Sequence, residues 1–140
     1  RHNLLKNNIN LQVEYLVADW TQIKTRPFDV LITNPPFVKS GKRYYRYFID
    51  TLINDAHKLI KKGGKLIFIQ SSMADIKRSI NLMQDWGMEV KIIGEQKGPF
   101  RDYYFEDQVF MNNIEKFPGA YEKINDEYIE TLVVFEATLP

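Results

Sequence analysis

Cysteine is absent from the 140 residues, which excludes a disulfide framework and thiolate metal sites and fits a reducing compartment. The two histidines, His2 and His57, have no partners at metal-ligand spacing, so a zinc site is not expected. No apolar run approaches the roughly 18 residues that span a bilayer, and "RHNLLKNNIN" lacks the apolar stretch of a secretory leader; a soluble, cytoplasmic protein is the expectation. Ser71 and Ser72 lack a surrounding G-x-S-x-G elbow, which argues against a hydrolase nucleophile. An excess of one charge is missing too: the net charge is +1. That balance hides a polarity. Cations gather between Pro36 and Lys65, where only Asp50 and Asp55 oppose them, whereas carboxylates dominate beyond Arg101.

What is present is an alternation of strand and helix. "VEYLVAD" (13–19) and "FDVLITN" (28–34) are short β-rich runs ended by turn formers. From Tyr45 to Lys62 apolar residues recur at three-and-four spacing, which predicts an amphipathic helix stopped by "KKGG". "KLIFIQ" (65–70) predicts the next strand, residues 76–86 a second helix closed by Gly87, and "MEVKII" (88–93) a further strand. Residues 99–119 read as a loop with a short helix, and "YIETLVVFEAT" (128–138) as a long final strand, antiparallel beside its neighbour. Strands apolar on both faces and alternating with helices predict a parallel sheet covered by helices.

In such sheets ligands bind at the carboxyl ends of the strands. Asn34 stands at one of them, followed by Pro35, Pro36 and Phe37. Asn-Pro-Pro would serve as a plain strand-ending turn. It also suits a chemical task. Two prolines fix the backbone and remove two amide donors, leaving rigid carbonyl acceptors. A side-chain amide oxygen plus a proline carbonyl can accept both hydrogens of a planar –NH2 group, and Phe37 can stack on its plane. Such positioning suits methyl transfer to a weakly nucleophilic nitrogen, without prior deprotonation by a strong base.

"FDVLITNPPF" resembles the amino-group motif of class I S-adenosylmethionine-dependent methyltransferases, in the small-domain branch that methylates exocyclic amino groups of bases in ribosomal RNA or glutamine amides in release factors. "VEYLVADW" resembles that family's third strand, and "LINDAHKLIKKGGKLIFI" its following helix, Gly-Gly turn and fifth strand; the likeness covers residues 1 to about 95. The resemblance implies a Rossmann-like α/β sheet with a final antiparallel strand, and S-adenosylmethionine as cofactor. It places Asp19 near the cofactor adenine with Trp20 beside the ring, and gives Asn34, Pro35 and Phe37 the catalytic role. Pro36, Lys39, Lys42, Arg43 and Tyr44 would contact the substrate.

The family's glycine-rich turn and the acidic end of its second strand have no counterpart, and no G-x-G pattern occurs. Residues 1–140 are therefore expected to form the carboxyl-terminal portion of one methyltransferase domain, with a gap in the sheet and little affinity for the cofactor. "KSGKRYYRYF" suits a phosphate backbone and stacked bases, yet Tyr45 and Phe48 also fit the buried face of a helix. Phe100, Tyr103 and Tyr104 are candidates for a lid over the same pocket or for plain packing. The favoured substrate is a nucleobase of ribosomal RNA, since Phe holds the fourth motif position and a basic stretch follows. The alternatives are glutamine methylation of a protein and a non-catalytic RNA-binding or scaffolding module.

Overall fold

The computed structural model of the chain describes residues 6–7, 12–18, 23, 27–37 and 46–140. In chain order the elements are β1 (Phe28–Thr33), α1 (Tyr47–Leu59), β2 (Ile60–Ser71), a 3-10 turn (Ser72–Ala74), α2 (Ile76–Asp85), β3 (Glu89–Pro99), α3 (Asp102–Phe105), α4 (Gln108–Ile114), β4 (Glu122–Ile124) and β5 (Glu127–Thr138). The sheet runs β1-β2-β5-β3, with β4 beside β5. β1 and β2 are parallel, and β5 is antiparallel to both β2 and β3. It follows that β1, β2 and β3 share one direction and deliver their carboxyl ends to one edge of the sheet. The expected α/β sheet with a final antiparallel strand is what the chain forms.

The main core lies between the sheet and helices α1 and α2. Ile49, Leu52, Ile53, Ala56 and Leu59 are the buried stripe of α1, and they meet Leu66 and Phe68 of β2 and Val133, Phe135 and Ala137 of β5. Each such aliphatic or aromatic side chain contributes about 1.5–3 kcal/mol when fully buried. The intervening residues of β2 and β5, among them Ile67, Ile69 and Val134, are only half-buried. The expected covering of helices therefore lies, among the described residues, on one face. A second, aromatic core of Met73, Phe100, Phe110, Met111, Ile114 and Ala120 sits beyond the carboxyl ends of the strands.

Two expected elements differ. The helix predicted to reach Lys62 ends at Leu59, and β2 starts at Ile60, before the glycines. Ile60 is buried and pairs with Phe28, so strand pairing overrides the helical period. Between the pairs Phe28–Ile60 and Val30–Lys65 the register shifts, and "KKGG" bulges out there. The carboxyl-terminal strand fastens this bulge: Gly63 N–H donates to the Leu139 carbonyl (2.8 Å) and Leu139 N–H to that of Gly64 (3.0 Å). A Cβ on Gly64 would lie 2.4 Å from Ile60 Cγ2 and 2.9 Å from the carbonyl oxygens of Asp29 and Lys61. Gly64→Ala should therefore destabilise the fold by about 1–3 kcal/mol, measured by denaturant unfolding.

The other difference is "VEYLVAD". Residues 12–17 form no strand, and Tyr15, Leu16 and Val17 are exposed; Asp19, the end of that run, lies outside the described residues. A strand needs a neighbour, and among the described residues none pairs with this segment. β1 has a related asymmetry. β3, an outer strand, carries the edge protections of a bulge between Ile92 and Gly94, two lysines, Gly98 and Pro99. β1 at the opposite side contains no lysine, glycine or proline; its one charged residue is Asp29, ion-paired with Lys61 at 2.8 Å, and it exposes Val30 and Ile32. No strand among the described residues pairs with its outer edge.

Candidate active site

Where β1 ends, the backbone turns through Asn34, Pro35, Pro36 and Phe37. Asn34 is exposed, and among the described residues its side chain makes no hydrogen bond. Phe37 is half-buried and packs against the main core, so its ring position is fixed by the fold. The corner divides two cavities. One, of about 480 Å³, runs along β1 and is lined by Leu31, Thr33, Asn34, Pro35 and Pro36 facing Phe48 and Leu52 of α1. The other, of about 290 Å³, is bounded by Pro36 and Phe37, by Met73 after β2, and by Arg101, Tyr103, Tyr104, Asp107 and Phe110 after β3. Pro36 lines both.

A buried guanidinium braces the floor behind the corner. Arg46 donates to Asp50 Oδ1 through Nε (3.1 Å) and Nη2 (2.9 Å), to Ser79 Oγ (2.7 Å), to the Asp75 carbonyl (2.5 Å) and to the Ala74 carbonyl. Ser79 Oγ donates in turn to Gln70 Oε1 (2.6 Å), and Gln70 Nε2 to the Ala74 carbonyl (2.9 Å). The start of α1 is thus tied to the turn that carries Met73. Burial lowers the guanidinium's proton affinity and the Asp50 carboxylate opposes that effect; an arginine remains charged through such a shift. Arg46, one of the cations of "KSGKRYYRYF", is therefore a structural residue with no face for a phosphate backbone.

On the far side of the corner, Ser71 Oγ donates to the buried Glu130 (2.5 Å) and accepts from Met73 N–H (3.2 Å), while Ser72 Oγ donates to the Ala120 carbonyl (2.7 Å). Both serines hold the turn. Phe100 is buried in the aromatic core, packing edge-on to Tyr104 with ring centroids 5.5 Å apart, so it is no lid; Tyr103 and Tyr104 do face the cavity. Desolvation, then the hydrogen bond with Tyr103 and the Glu130 charge, hold the Tyr104 phenol above its ordinary 10.0. A raised folded value means that this contribution to stability is complete below about pH 10 and is lost as the pH climbs above it. Unfolding free energies measured at pH 8 and pH 11 should show that loss, and Tyr104→Phe should reduce it.

The structure thus brings Asn34, Pro35, Pro36 and Phe37 together. Asp19, Trp20, Lys39, Lys42, Arg43 and Tyr44 lie outside the described residues. Met73 and Arg101 were not anticipated, although each stands two residues beyond a strand's carboxyl end, the rule that singles out Asn34. Among the described residues no cluster of acidic or histidine side chains could hold a metal, and no helix is long and apolar enough to cross a membrane. The expected methyl donor needs a partner for its ribose hydroxyls and another for its charged amino-acid tail. The described lining of the cavity along β1 contains no charged side chain, so these residues do not fit the donor by themselves, and none is assigned to it.

Comparison with known proteins adds the following. The model of the methyltransferase small domain matches residues 1–98. A Methanocaldococcus jannaschii protein, provisionally named a protein N5-glutamine methyltransferase, is 27% identical over a region covering 73% of this chain; the chain spans 58% of that relative's length. A solved structure from Bacillus halodurans, provisionally described as a methyltransferase, superposes over 99% of this chain and 77% of its own with a TM-score of 0.56 at 13% identity, a likeness of fold. By its family match, and with the motif corner placed as described, the chain belongs to the methyltransferase small-domain family, whose methyl donor is S-adenosylmethionine.

Proposed function

We propose that this chain supplies the acceptor side of an N-methyltransferase acting on the side-chain amide of glutamine in a protein. The observation that carries the reading is the Asn34 amide, without a hydrogen bond among the described residues, on a proline-fixed corner between two cavities. The Asn34 side-chain oxygen and the Pro35 carbonyl accept the two N–H groups of the target amide. Phe37 stacks on the amide plane and sets its tilt. With both hydrogens engaged, the nitrogen's remaining face is directed out of the plane, and no base is needed to remove a proton first. Orientation is then the chain's contribution to the barrier.

Two features move the substrate from the expected nucleobase to a glutamine amide. The Methanocaldococcus relative bears that name. Among the described residues that line the second cavity Arg101 is matched by Asp107, so no excess of cations there favours a phosphate backbone. The donor side, in this proposal, is completed by strands pairing with the outer edge of β1, where no strand pairs among the described residues, consistent with the extra length of the relatives. The test is transfer of a labelled methyl group by the protein to a glutamine-containing peptide and to a stem–loop RNA. Label in the peptide amide is expected. Label in the RNA would refute the substrate, and a protein that binds RNA but neither peptide nor S-adenosylmethionine would be the scaffolding module instead.

A further inference from the structure

The second cavity shares Pro36 and Phe37 with the methyl-accepting corner, but its other walls and its polar rim play no part in that corner. Phe37, Met73, Tyr104 and Phe110 make it apolar inside. At its mouth Arg101 is exposed, yet its guanidinium is not loose: Nη1 donates to Tyr103 Oη (3.1 Å) and the group lies 6.0 Å from the centre of the Tyr103 ring. A guanidinium has five N–H donors in a fixed fork, so most remain for a ligand. Asp107, the nearest lining carboxylate, caps α4 by accepting from Phe110 N–H (2.9 Å). Asp102 and Glu106, the sequence neighbours of Arg101 and Asp107, are exposed and do not line the cavity.

Together these define a ligand. The volume, about 290 Å³, is at the small end of binding pockets and admits one side chain with the peptide units beside it. The fork of Arg101 donates to neutral main-chain carbonyls, while Asp107 in the wall opposes acidic groups and attracts basic ones. We propose that this cavity binds the residue adjoining the target glutamine, that Arg101 oriented by Tyr103 is a specificity residue for the peptide main chain there, and that neutral or basic neighbours are preferred over acidic ones. This rests on the glutamine reading, and its test separates the two.

The probes are N-acetylated, C-amidated peptides Ala-Ala-Gln-X-Ala with X as Lys, Ala or Glu, titrated into the 140-residue chain and followed by NMR shifts. Binding should weaken several-fold from Lys or Ala to Glu. R101A should weaken every peptide about tenfold, equivalent to about 1.4 kcal/mol, and widen the Lys-to-Glu difference, because Asp107 is then no longer offset by a cation. R101K keeps the charge without the fork and should lie between; Y103F should cost less than R101A. Melting temperatures should stay the same, which a merely structural arginine would not allow together with lost affinity. Unchanged binding by R101A, preference for Glu, or binding of no peptide would overturn the proposal. A separate arm replaces the peptide's Gln by Glu: unchanged affinity there, with R101A still weakening binding, would defeat the glutamine reading and leave the Arg101 assignment standing.

Discussion

Asn34→Ala is expected to lower the rate of methyl transfer at saturating substrate by about a hundredfold or more, with little change in KM and none in melting temperature. The size follows from what one preorganised hydrogen-bond partner contributes at a reacting centre, about 10²–10³ in rate or about 2.7–4 kcal/mol. KM is spared because the peptide keeps its stack on Phe37 and its contacts in the second cavity. Stability is spared because Asn34 is exposed and makes no hydrogen bond among the described residues, and substitutions at such positions stay within about 0.5 kcal/mol. Asn34→Asp retains an acceptor oxygen and should keep more activity than the alanine variant. Phe37 is less clean as a probe: it packs against the main core, so truncation there mixes lost stacking with lost stability. Single-turnover rates and thermal melts of the Asn34 variants decide the matter. Wild-type transfer by Asn34→Ala would reduce the corner to a plain turn.

That corner was readable from residues alone because its elements are local: an apolar run long enough for a strand, then backbone restrictions that proline imposes wherever it stands. β5 and the two longer helices were readable for the same reason. The misreadings come from positions where a distant partner decides. Ile60 continues the helical period of α1, but its pairing with Phe28 makes it a strand residue. "VEYLV" has strand composition and, among the described residues, no partner to make it a strand. β4 escaped notice because three residues carry little periodicity; its signal was the two-residue turn Asn125–Asp126, both in the left-handed region. The cavity beside Phe37 was legible only in part, through Tyr103 and Tyr104, since its walls come from the ends of three segments that are far apart in sequence. Arg46 is the sharpest case: surrounded by cations and tyrosines in sequence, it reads as surface, and only the meeting of α1, α2 and the turn after β2 buries it.

Replacing Arg46 therefore tests the tertiary design itself. Arg46→Met keeps much of the volume and removes the charge and every donor. The carbonyls of Ala74 and Asp75 and the hydroxyl of Ser79 each lose one partner and keep another, Gln70 Nε2, Ser79 N–H and Gln70 Oε1 respectively, while Asp50 keeps Arg78 at 2.9 Å. Asp50 is partly solvated and keeps Arg78, so no charge is left buried alone and the cost is that of the hydrogen bonds lost to the guanidinium, about 1.5–3 kcal/mol. For a domain of this size that corresponds to a fall in melting temperature of about five to ten degrees. Asp50→Asn should cost less, since Arg46 would keep its carbonyl and hydroxyl acceptors and Asp50 is partly solvated. Salt should change neither result much, because screening acts weakly on a buried group. Arg46→Lys keeps the charge but cannot fork between α1, α2 and the turn, and should fall close to the methionine variant. At temperatures where these variants are still folded, peptide affinity should also drop, because the loosened turn carries Met73 into the wall of the second cavity. A methionine variant that melts within two or three degrees of the wild type would show that the guanidinium is dispensable there and that packing alone seats the turn.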